Sequence, residues 1–150
     1  MTNGSPAGPV HPILTRRKGQ QYFFYTKHHQ LSHSKDSQWL LPPSLTQDQE
    51  FWVFDNAENL ELSDGPGNLY GFRQKSGKST LSLGTRGEQV AKFPFTPANQ
   101  AWHGYPIWPI AKKRDDEDLR PIPNEVLDKM VEKGVIDARE RKRLRKGDHI

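Results

Sequence analysis

A chain of 150 residues that is 33% apolar can hold one domain with a core plus margins outside it, and it is too short for two good cores. Four Trp, four Tyr and seven Phe argue against a wholly disordered chain, while the absence of cysteine excludes disulfide frameworks, thiol nucleophiles and cysteine-ligated zinc. The net charge of +4 is unevenly spread: residues 1–35 carry five basic and no acidic side chains, residues 36–70 seven acidic and no basic, and residues 71–114 eight basic against one acidic.

Residues 1–15, rich in Gly, Pro and Ser, bury too little to repay their ordering and are expected to form a flexible arm. The arm lacks the basic start and apolar stretch of a secretory signal. With no apolar run of membrane-spanning length, a soluble, cytoplasmic protein without a membrane partner is expected. Residues 16–111 are expected to form an antiparallel β domain. Tyr22-Phe23-Phe24-Tyr25 predicts its first strand, and the polar segment from Gln30 to Gln49, with Pro42-Pro43, predicts a loop. Glu50–Asp55, with the unbroken apolar centre Phe51-Trp52-Val53-Phe54, reads as a second strand covered on both faces.

An acidic connection follows, with Asp64-Gly65-Pro66-Gly67 as a tight turn. Leu69–Gln74, Ser79–Thr85 and Gln89–Phe95 then predict a three-stranded meander. The connection Lys75-Ser76-Gly77-Lys78-Ser79-Thr80 ends like a phosphate-binding P-loop. However, that motif requires glycine five residues before Gly77, where Phe72 stands, and a helix after Lys78, where strand-like alternation follows. Ser76-Gly77 is therefore read as a hairpin turn and no nucleotide cofactor is expected. Prolines 94, 97, 106 and 109 leave the aromatic segment up to Ile110 extended and stiff, a cover for the sheet, and residues 112–120 read as a charged linker.

Residues 121–150 predict a basic helical hairpin. Val126, Leu127, Met130 and Val131 place apolar rows on one side of a first helix ending at Gly134. Asp137-Ala138-Arg139-Glu140 has capping-box spacing and starts a second helix running to about Lys146. The expected class is α+β: a small antiparallel sheet followed by this hairpin.

Three surfaces compete for a function. Arg139, Arg141, Lys142, Arg143, Arg145 and Lys146, with Arg73, Lys75, Lys78 and Lys92 interleaved among aromatics, suit phosphates and unpaired bases, so nucleic acid, as RNA or single strands, is the expected partner. Ala101–Pro109 offers a rigid aromatic surface through Trp102 and Trp108. Within it, His103 is the best general acid or base for a metal-independent hydrolase or ribonuclease-like toxin, with Tyr105, Lys92 and Arg73 as candidates to stabilise charge. The acidic segment 48–64 would suit docking of a basic protein, as an antitoxin or immunity factor needs. His29 and His33 share a zinc-compatible spacing, but without a third ligand or helix propensity they read as a polar loop, and no metal is expected.

Overall fold

The computed structural model describes residues 13–16, 18–23, 29, 38–75, 77, 80–97, 100–107 and 122–150. Residues 1–12, the linker 112–120, Lys78, His33 and Trp108 lie outside them, so the expectations for those positions do too. The architecture is α+β, with two small antiparallel-rich sheets and three helices. Among the described residues no helix is long and apolar enough to cross a membrane.

The first sheet has the order β1-β2-β6-β5, built from Ile13–Thr15, Gln21–Phe23, Ala101–Trp102 and Phe95–Thr96. Residues 13–15 thus belong to a strand rather than to a flexible arm: Leu14 pairs with Tyr22 across the turn at Gly19. Tyr22 in turn pairs in parallel with Trp102.

The largest departure from the sequence reading is Glu50–Asp55, which is helical. Helix α1 spans Gln47–Asn59. Thr46 caps it, its hydroxyl accepting from Gln49 N at 3.2 Å while Gln49 Oε1 accepts from Thr46 N at 2.8 Å. Buried side chains at 50, 51, 53, 54 and 57 recur with the helical period, so the aromatic run that looks like a two-faced strand is one inward stripe with Trp52 left outside.

The second sheet, β3-β4-β7, contains Leu69–Phe72, Val90–Phe93 and Tyr105–Ile107. Leu69, Ala91 and Phe93 join the core beneath α1, whereas Tyr70, Phe72, Val90 and Ile107 join the core beneath the C-terminal helices. A strand with both faces covered has no wet side, which explains why all of Leu69–Phe72 is buried. At Gly71 an added Cβ would stand 3.0 Å from Val53 Cγ1 and from Val53 O, so the glycine lets α1 approach the sheet closely.

The third strand of this sheet is Tyr105–Ile107 instead of Ser79–Thr85. The segment around Leu83 instead makes a short bridge to the 38–40 segment: Leu40 N donates to Leu83 O at 2.8 Å, Thr85 N to Gln38 O at 3.0 Å, and Trp39 bridges Gly84. Pro106 sits opposite Ala91 in an edge strand, bordered among the described residues by β4 only, a place compatible with the extended, non-central segment its prolines predict.

The C-terminal pair follows the sequence pattern. Helix α2 spans Asn124–Glu132, burying Val126, Leu127 and Met130, and the chain turns at Gly134 with φ +75°. Helix α3 spans Ala138–Arg145 and lies beside α2.

Candidate nucleic-acid interface

Helix α3 is fixed at both ends and has little to bury. At its start Asp137 Oδ1 accepts from Glu140 N at 2.7 Å, and Glu140 Oε1 accepts from Asp137 N at 3.0 Å. Leu144 is its one buried side chain, contributing about 1.5–3 kcal/mol of apolar burial. Its far end is held by the tail: Gln89 Nε2 donates to Ile150 O at 2.7 Å and Gln89 Oε1 accepts from Ile150 N at 2.8 Å. Arg143 Nε donates to His149 O at 2.9 Å, and the His149 ring lies 2.8 Å from Gly87 O.

Anchored this way, the helix leaves most of its charge outward. Arg141 pairs with Asp128 at 2.7 Å on α2. Arg139, Lys142, Arg145 and Lys146 are exposed and hold no ion pair or side-chain hydrogen bond among the described residues. Lys75, in the β3–β4 connection, reaches Glu140 Oε2 at 3.3 Å and so brings that connection against the start of α3.

Arg73 is placed differently. Its guanidinium donates to Ser44 O at 2.6 Å, Ser82 O at 3.2 Å and Gln49 Oε1 at 3.4 Å, tying the α1 start to the 80–85 segment. Its charge therefore serves the fold, and it forms a fixed wall beside Trp52. Lys92 lies 6.0 Å from the Tyr70 ring centroid, on the face covered by α2 and α3.

Trp52, absent from the sequence-based candidates, is 36% exposed and borders three recesses of about 350, 240 and 240 Å³. Arg73, Gln74 and Lys75 line two of them, the larger together with Asp48, Gln49 and Leu81 and another with Lys133 and Val135 among its walls, while Lys18, Asp55 and Glu58 line the third. The helical period of α1 is the signal that would have exposed Trp52.

His103 and Tyr105 do come together, their ring centroids 6.1 Å apart, with Phe23 5.1 Å from His103 on the other side. Trp102 is half-buried: its Nε1 donates to Gln20 Oε1 at 3.0 Å and its ring packs on Phe54 and Phe95. This candidate surface is thus partly the seam between the first sheet and α1.

A histidine in an apolar setting also occurs at His29. It stacks on Trp39 at 6.2 Å, and its Nε2 lies 2.7 Å from Oε1 of Glu50, a residue only 1% exposed. The Tyr22 hydroxyl donates to the other Glu50 oxygen. Burial raises the Glu50 pKa above the ordinary carboxyl range, against the lowering pull of His29 and of the Tyr22 hydrogen bond; burial and then Glu50 raise that of Tyr22 well above the usual phenol range.

The acidic segment is likewise partly consumed. Asp55 pairs with Arg16. Asp64 accepts from Gly67 N, Asn68 N, Asn68 Nδ2 and the Tyr70 hydroxyl. Burial pushes the Asp64 pKa up, but the hydrogen bonds from Asn68, Tyr70 and Gly67 outweigh it and hold it below its usual value. Comparison with known protein families, curated proteins and solved structures finds no match to this chain.

Proposed function

We propose that this protein is a non-enzymatic module that binds nucleic acid, as RNA or single strands, through the cations of α3 and the neighbouring lysines. The observation that carries the reading is α3 itself. One buried leucine seats it, and Arg139, Lys142, Arg145 and Lys146 spend none of their charge on partners among the described residues. Such a surface gains affinity by displacing the counterions condensed on phosphates, a gain that any nucleic acid can supply. The acidic segment offers less to a basic partner protein, because Glu50 is buried and Asp55 and Asp64 are engaged within the fold.

The test is a salt titration by fluorescence polarisation, using labelled single-stranded RNA and DNA and the pair Lys142→Gln with Arg145→Gln. Neither change touches Leu144 or the Asp137 cap. Weaker binding is expected, with log affinity against log salt shallower by about 1.4 for two lost phosphate contacts on a single strand. An unchanged slope would remove α3 from the interface. RNA recovered intact fits a binding module, whereas cleavage would transfer the weight to His103 and Tyr105.

A further inference from the structure

We infer that Trp52 is a stacking platform for an unpaired base of a single-stranded nucleic acid, an inference that rests on the α3 reading and adds base contact to phosphate contact. Trp52 takes no part in the inward stripe of α1, and its indole borders three recesses instead of a flat face.

The surroundings match a nucleobase better than an apolar peptide. Gln74 offers an amide that both donates and accepts, the mixed pattern of base edges, and Gln49 adds its NH2 as a donor while its oxygen holds Thr46 and Arg73; Leu81 and Val135 supply apolar wall. Lys75 and Lys133 provide cations for the adjoining phosphates. Asp48 also lines the larger recess and repels a phosphate, which favours a backbone path along Lys75. The Lys75–Glu140 pair places this recess beside the start of α3, so a strand with one base on Trp52 reaches the α3 cations within a short span.

Preorganisation favours the same occupant. Arg73 is held by three acceptors, and α1 is pressed onto the sheet at Gly71, so the walls beside Trp52 are set before any ligand arrives. In a duplex the base faces are already stacked on one another. Only an unpaired base can present its face to the indole.

The experiment measures affinity of the full chain for oligo(U) RNA, oligo(dT) DNA and a DNA duplex by fluorescence polarisation, comparing wild type, Trp52→Ala, Trp52→Phe and the Lys142→Gln/Arg145→Gln pair. Trp52→Ala is expected to weaken both single strands about 5- to 150-fold, the range for loss of one stacked base, with the salt slope and duplex affinity unchanged. Trp52→Phe should retain most of the affinity, since a phenyl ring still stacks. Single-strand affinity unaltered in Trp52→Ala, while the α3 pair weakens binding, overturns the stacking platform and leaves the phosphate reading intact. Equal losses on single strands and duplex overturn it as well. No binding by the wild type at low salt removes both.

Discussion

Glu50→Gln tests a buried carboxyl group that is only 1% exposed, because glutamine copies the shape of a protonated glutamic acid. With Glu50 neutral, its C=O accepts from the Tyr22 hydroxyl and its O–H donates to His29 Nε2; glutamine repeats this with Oε1 and Nε2. The folded-state pKa of Glu50 is raised, so the stability this group contributes is full below the unfolded carboxyl value of about 4.3 and is lost as pH rises through the folded value. Glutamine has no such loss. The variant is therefore expected to lie within about 1.5 kcal/mol of wild type near pH 4.5 and to gain relative to it as pH rises towards 8. Glu50→Ala provides the scale. It leaves the Tyr22 hydroxyl without its acceptor and the His29 ring without its partner and should cost about 2–6 kcal/mol, a large part of an ordinary domain's stability. Urea unfolding followed by tryptophan fluorescence at three pH values measures both. If Gln falls further below wild type as pH rises, an ionised Glu50–His29 pair stabilises the fold and the neutral network described above is wrong.

Two further substitutions test the packing and the turn. Gly104→Ala places a methyl 2.4 Å from Cδ1 and Cε1 of Phe93, beside a carbonyl that accepts from Trp39 Nε1; it should cost at least about 1–3 kcal/mol, and an unshifted urea midpoint would refute that tight contact. Asp64→Ala removes the acceptor of four hydrogen bonds and should cost about 1–3 kcal/mol at pH 6. Because the Asp64 pKa is depressed in the folded state, its contribution is present above the unfolded value of about 3.9 and fades as pH falls. The penalty should therefore shrink in acid, and a constant penalty would count against this reading.

The C-terminal helices were legible because their signals are local. The Asp137–Glu140 box, the Gly134 stop and the apolar rows of α2 act within a few residues of the structure they specify. Helix α1 was missed although Thr46-Gln47-Asp48-Gln49 carries the same kind of cap, because Phe51-Trp52-Val53-Phe54 has high strand propensity and tertiary packing overrides it. Leu81 and Leu83 alternate as a strand would, but their neighbours bond to the 38–40 segment, a partner no short window contains. For the same reason the site was half visible. The cations of α3 stand in the sequence, whereas Trp52 became a candidate only once α1 was a helix, and the closeness of Lys75 to Glu140 spans 65 residues.

The pairing of Tyr22 with Trp102 has a bearing on how the chain emerges during synthesis. Strand β2 has one neighbour eight residues away in β1, but its other neighbour is made only after some eighty more residues. Gln89 likewise holds Ile150, 61 residues further on. The aromatic side chains of β2 and α1 must therefore wait, uncovered, until the second half of the chain leaves the ribosome. A nascent chain stalled before Phe93 and Trp102 would hold Tyr22, Phe51 and Phe54 without the later half of their core.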